Sequence, residues 1–244
     1  MPEQINSVGD LIALIRSERE TYSGSLWFRG QSNSTWKLLP TLLRQKVLLS
    51  EGSILARFKQ SAALLASSKP ENSFDWIFLM QHYGVPTRLL DWSESPLTAL
   101  YFAVKNENED EDASLWSLKP SQLNKNAGIE SKDEEDYIPS FDDEELLGYS
   151  TEKVRIDSRM KLLPIATIAT RNNPRIQAQL GTFTIHHNSD VPIEDVGDGE
   201  HCKKIIIPRS SAKQIKQELS ILGINKFSLF PELESISDTL RNQM

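Results

Sequence analysis

The sequence predicts an α+β fold: a helical N-terminal half packed on a small, mostly antiparallel β-sheet, either single or split in two. Two observations carry this. Apolar residues at helical spacing dominate the first 105 residues, interrupted by one strand-like stretch near 26–29. Further strand-like stretches near 113–118, 165–169, 181–186 and 203–207 do not alternate regularly with helices, which argues against a doubly wound parallel sheet. The 244 residues, 39% of them hydrophobic, suit one domain with a real core. We read residues 1–244 as that domain, with acidic loop insertions near 105–112 and 130–148.

The elements follow in order. Ser7 to Glu20 is an amphipathic helix, capped by Ser7 or Asn6, with Leu11, Ile12, Leu14 and Ile15 on its buried side. After a turn at Thr21–Gly24, Ser25-Leu26-Trp27-Phe28-Arg29 is a short strand ending in Gly30. Gly30 permits a close backbone approach, and Gln31-Ser32-Asn33 offer hydrogen-bonding groups. Arg29 in that setting suits a planar oxyanion such as phosphate or carboxylate, or it bridges carboxylates of the core. Trp36 to Arg44 supplies apolar anchoring and a second arginine, and Glu51 to Ala66 is a second amphipathic helix.

The densest segment is Trp76 to Val104. Gly84 and Pro86 stop a helix near Tyr83, because a residue before proline is pushed to extended backbone. A polar turn follows and carries Thr87, Arg88, Asp91 and Trp92. A further helix then begins near Ser93, with Glu94 and Pro96 in its first turn. Arg88 and Asp91 stand among large apolar residues, where charges are paired or used.

Downstream, the acidic runs at Glu107–Asp112 and Asp133–Glu145 read as solvated loops, and Lys153 to Arg175 turns basic. Asn172-Asn173-Pro174 marks a turn. If the chain beyond it is extended, Gln177 and Gln179 share one face with Arg175 alongside. His186 and His187 are adjacent and point oppositely in a strand, poor geometry for joint chelation, so we expect no metal. Lys203–Pro208 is a buried strand, Ser210–Leu222 a helix with Gly223 as its C-cap, and Phe227 to Glu234 leads into a final short helix.

The net charge of -7 and pI near 5.2 argue against bulk, sequence-blind nucleic-acid binding, though not against a local basic patch. One cysteine, Cys202, leaves no internal disulfide and no Cys-rich zinc site. No signal peptide, membrane span, Walker loop or Rossmann loop is visible, and a reducing cytoplasm is the expected location.

Trp27-Phe28-Arg29-Gly30-Gln31, the stretch from Gln81-His82-Tyr83-Gly84 through Pro86 to Trp92, and Pro96 with Ala99–Ala103 resemble the FRG domain family, named for its Phe-Arg-Gly motif. Arg175–Phe183, Ile207-Pro208, Gly223-Ile224 and Ser228–Pro231 continue the resemblance. The order of motifs is also similar, more weakly, to that of the ADP-ribosyltransferases, which implies NAD as cofactor and a fold of that kind. By that resemblance Arg29 holds the NAD diphosphate or nicotinamide ribose. The Thr87–Ser93 turn walls the nicotinamide pocket, and Gln177 or Gln179 stands where active transferases carry glutamate. Glutamine hydrogen-bonds a ribose hydroxyl but is no general base, so the role passes to another carboxylate, Asp91, or the site binds without this chemistry.

Three readings follow. In the first, the chain is an NAD-dependent transferase acting on protein or nucleic acid, as a toxin or anti-phage effector. Its catalytic set is Arg29, Tyr83, Asp91 and Gln179, and its NAD-binding set is Arg29, Gln31, His82, Arg88, Trp92 and Gln177. In the second, it is a non-catalytic module of a defence system that binds a nucleotide, a nucleic acid or a protein. In the third, Arg29, Arg88 and Asp91 form a buried structural network. The transferase reading requires Arg29, Tyr83, Arg88 and Gln179 to meet in one pocket.

Overall fold

The computed structural model describes residues 3–45, 49–62, 64–65, 70–106, 111–157, 159–168, 173–232 and 235. In chain order the strands are β1 (Glu3–Gln4), β2 (Trp27–Gln31), β3 (Leu89–Ser93), β4 (Ala113–Leu118), β5 (Ile165–Thr167), β6 (Gly181–Ile185) and β7 (Cys202–Ile207). The helices are α1 (Val8–Thr21), α2 (Thr41–Arg44), α3 (Glu51–Ala62), α4 (Ser73–His82), α5 (Pro96–Val104), α6 (Pro120–Asn126), α7 (Thr151–Ile156), α8 (Pro174–Ala178), α9 (Arg209–Ile221) and α10 (Lys226–Leu229). The strands form one seven-stranded mixed sheet in the order β1-β7-β4-β2-β3-β6-β5. Only β1 and β7 pair in parallel.

The expectation of an α+β fold on a mostly antiparallel sheet holds, but the sheet is larger than expected. β1 gave no signal in its two residues. β3 overturns the helix–turn–helix reading of Trp76–Val104. Leu89 to Ser93 is an inner strand, and the following helix starts at Pro96 with Ser95 as its cap, leaving Glu94 outside it. Strand burial explains the change. Five residues from Leu89 to Ser93 pair with Gly181 to Ile185 of β6, which satisfies backbone groups that a turn would leave buried and unpaired. Gln177 and Gln179 are likewise not on one extended face: the segment is helix α8, with Gln179 as its C-cap.

Register divides the side chains. Phe28, Leu115, Ile205 and Ile207 face α1, α5 and α9 in one cluster with Leu11, Leu100, Ile215 and Leu219. Leu89, Phe183, Ile185 and Ile165 face α4 in a second cluster with Phe74 and Ile77. The opposite face holds Trp27, Leu90, Trp92, Trp116 and Leu118 against Leu38, Leu123 and Ile193. The segment near 130–148 is more than a solvated insertion. Phe141 meets Phe74, Phe78 and Phe183, and Leu146 and Tyr149 are fully packed. Most of its acidic residues face outward while these apolar ones turn in, and Asp136 accepts from the Ser25 amide (2.8 Å). Of the insertion near 105–112, residues 107–110 lie outside the described residues, as do the end of the Glu51–Ala66 helix at Ala66 and the start of the basic-segment turn at Arg171 and Asn172.

The sheet is nearly parted at its centre. β2 shares five residue pairs with β4, and β3 shares five with β6, but β2 and β3 share one, Phe28 with Ser93. Helix α5 lies directly on β2, and Gly30 makes this possible. A Cβ there would lie inside the Ala99 carbonyl oxygen and 2.5 Å from the Ala103 nitrogen. That backbone cannot retreat without lifting α5 off Phe28 and Leu115. Gly30→Ala is expected to lower the unfolding free energy by about 3 kcal/mol or more, read from urea denaturation.

Arg88 anchors the other half. Its guanidinium donates to Glu51 Oε2 (2.7 Å) on α3, to the His186 carbonyl (2.7 Å) after β6, and to the Tyr149 carbonyl (2.8 Å). Both side chains of the ion pair are almost fully buried, at 3% and 8% exposure. Removing one partner leaves the other charged and dry, so Arg88→Ala is expected to cost about 3–5 kcal/mol. His186 sits in the same network. Burial, the main cause, holds its imidazole down at about 3 despite the hydrogen bond to the Val191 carbonyl. Below pH 6.5 the unfolded imidazole takes up a proton that the folded one refuses. Stability therefore falls as pH drops from 6.5 toward 3, by about 1.4 kcal/mol per pH unit. Urea midpoints between pH 7.5 and 5 are expected to show this slope, and His186→Gln to flatten it.

Candidate functional site

The gap between β2 and β3 opens into a cleft of about 440 Å³. Its floor is Gly30, Asp91, Ser93, Gly181 and Phe183. One wall is α5 with Thr98, Phe102 and Lys105, and the facing wall is α4 and α8 with Phe78, Gln81, His82, Arg175 and Gln179. Ser32, Trp36 and Arg44 complete the rim beyond β2.

Arg29 lies across the parting of the strands. Its Nη1 donates to the backbone carbonyl of Asp91 (2.5 Å), a bond that stands in for the missing ladder below Phe28 and Ser93. Nε of Arg29 is buried and has no partner among the described residues. No carboxylate lies within ion-pair distance of its guanidinium among those residues. Burial, the largest effect, pulls its pKa down; nearby Asp91 opposes this and Arg44 adds to it. A half-buried guanidinium with a buried, partnerless Nε suits an oxyanion ligand.

Asp91 is the one carboxylate among the lining residues described. The two neighbours on its strand, Leu90 and Trp92, are in the opposite core, so alternation sends the Asp91 carboxylate into the cleft. It is held by a chain of hydrogen bonds. Gln81 Nε2 donates to Asp91 Oδ2 (2.7 Å), Thr87 Oγ1 donates to Gln81 Oε1 (2.5 Å), and the Leu89 amide donates to Thr87 Oγ1 (3.2 Å). Asp91 Oδ1 has no hydrogen bond among the described residues. The polar stretch from Gln81 to Asp91 is thus a device that fixes one carboxylate. Gln81 was missed as a site residue; its signal was its place on the last turn of a helix ten residues before an isolated aspartate.

Cations line the same cleft. Arg44 stacks over Trp36 with its guanidinium carbon 5.2 Å from the ring. Arg175 lies 4.6 Å over Phe230 and donates to the His82 carbonyl (3.3 Å). Lys105 packs its ammonium over Phe102, and burial, then repulsion from Arg175 and Arg29, lowers its pKa. Burial, helped by Arg175, also lowers His82, which is therefore neutral at pH 7.

The structure brings together Arg29, Gln31, His82, Asp91, Trp92 and Gln179 from the residues predicted by sequence. Within that set, Trp92 is packed in the core with its indole N–H on Thr184 Oγ1 (3.0 Å), and the Gln31 side chain accepts from the Trp116 indole (2.9 Å). Gln179 spends its amide N–H on the Leu229 carbonyl (3.0 Å). Arg88, Tyr83 and Gln177 are elsewhere, so of the four residues required to meet in one pocket, Arg29 and Gln179 do and Tyr83 and Arg88 do not. Arg88 is in the buried network with Glu51, and Tyr83 and Gln177 project into solvent. Arg88 does not pair with Asp91, because three residues of an extended chain separate their directions.

No curated protein and no solved structure matches the chain. Residues 24–112, which supply Phe28-Arg29-Gly30, the segment fixing Asp91 and the α5 wall of the cleft, match the FRG domain family.

Proposed function

We propose that the cleft binds NAD and that the protein is an ADP-ribosyltransferase-like enzyme. The observation that carries this reading is Arg29: a half-buried guanidinium whose buried Nε has no partner and which has no carboxylate counter-ion among the described residues, set where two central strands part. A diphosphate supplies the oxygens that such a group lacks. Lys105 and Arg175 flank it on one side, and Phe78 and Phe102 offer flat apolar surface for an aromatic ring. The chemistry NAD supplies is a labile bond between nicotinamide and ribose. Asp91, held by Gln81, would stabilise the positive charge that builds on the ribose in the transition state.

A binding module without catalysis is the second reading, and one observation favours it. Gln179 carries an amide where active transferases carry glutamate, and its N–H is already committed to Leu229. The experiment separates the two. Calorimetry with NAD is expected to show binding that Arg29→Ala weakens at least tenfold. Release of nicotinamide is expected to fall by about 10²-fold or more in Asp91→Asn while the melting temperature is kept. Absence of NAD binding removes both readings for this dinucleotide. Binding without release leaves only the module, and release unaffected by Asp91→Asn overturns the role given to Asp91.

A further inference from the structure

The acceptor can be read from two features the NAD reading leaves over. The first is charge. Arg29, Arg44, Lys105 and Arg175 line the cleft against a single carboxylate, Asp91. Arg44 repels Arg29, and Arg175 and Arg29 repel Lys105, so the four cations share one space. If the diphosphate lies on Arg29, Lys105 and Arg175, Arg44 remains for a second anion.

The second feature is Trp36. It is 40% exposed on the cleft rim, and Arg44 lies over its ring at 5.2 Å. Its segment is anchored from below: Leu38 is fully buried, and Lys204 Nζ donates to the Ser34 carbonyl. An exposed tryptophan beside a guanidinium on a fixed loop is a stacking surface for a base next to a phosphate site.

We infer that the acceptor is a phosphate-terminated single strand of nucleic acid, with its terminal phosphate on Arg44 and its end base on Trp36. The inference rests on the transferase reading of the cleft. It also accounts for the missing glutamate. A hydroxyl or amide acceptor must lose a proton to a base as it attacks, whereas a phosphomonoester is already ionised at pH 7. In the transfer, a phosphate oxygen forms a bond to ribose C1′ with its own electron pair. The C1′–nitrogen bond to nicotinamide breaks, and that pair leaves with neutral nicotinamide. No proton moves, so Asp91 stabilises charge and need not act as a base. The acidic surface of the chain, net charge -7, is consistent with recognition of a strand end in a cationic cleft rather than of a duplex along its length.

Binding is measured first on the protein without NAD, by anisotropy of a short fluorescein-labelled single strand carrying a 5′- or 3′-phosphate, against the same strand with hydroxyl ends. We expect at least tenfold tighter binding of one phosphorylated strand. Trp36→Ala and Arg44→Ala are each expected to cut that affinity about tenfold, with unchanged circular dichroism, since both side chains are exposed. Equal affinity for phosphorylated and hydroxyl strands, or indifference to Trp36→Ala, overturns the inference. So does a phosphoserine peptide that competes as well as the strand. The transfer step is read separately, as a gel shift of the phosphorylated strand with NAD. A strand that binds as expected while NAD fails to bind would sink the NAD reading alone. A strand that binds but is not modified, while nicotinamide is released, overturns its assignment as acceptor.

Discussion

Helix α5 rests on β2 at the one position without a side chain, and the rest of the site is measured from that contact. Gly30 lets the backbone at Ala99 and Ala103 come down onto the strand. This seats Phe28 in the core beneath α5. It also sets α5 as one wall of a gap that β2 and β3 leave open after their single shared pair. The Phe-Arg-Gly triplet thus has a physical division of labour: a buried ring, a cation at the gap and a close approach.

The two charges that looked like natural partners, Arg88 and Asp91, do different things. Arg88 is spent on stability. It joins α3, the segment at Tyr149 and the end of β6 through groups that burial makes costly to lose. Asp91 is placed on a strand whose neighbouring side chains are packed in the opposite core, so its carboxylate has nowhere to go but the cleft. The short chain Leu89–Thr87–Gln81–Asp91 then holds it in place through Oδ2. Arg29 donates to the Asp91 backbone oxygen instead.

The cleft is assembled from distant stretches. β2, β3 and α5 supply one part and lie within the matched residues 24–112; α8 and β6 supply the other. Phe230 packs against both Phe102 of α5 and Arg175 of α8, so the chain after α10 ties the two walls together. Four cations and one carboxylate line this space, so its electrostatics favour an anion over another piece of core.

Much of this was legible in the residues. Capping by Ser7, the strands at 113–118 and 203–207, the helix ending at Gly223 and the convergence of Arg29, Asp91 and Gln179 could all be anticipated from periodicity, caps and motif order. Local pattern determines such elements because each is stabilised by its own spacing of apolar residues. What the tertiary structure decided was pairing. Leu89–Ser93 became a strand because β6 was there to take its hydrogen bonds, and its five residues are too few for periodicity to distinguish strand from helix start. Arg88 went to Glu51, thirty-seven residues away in the chain, because burial demanded a carboxylate and Asp91 faced the other way. Sequence determined which groups carry charge and which faces are apolar; only long-range packing determined which charge meets which, since that depends on strand order and not on spacing along the chain.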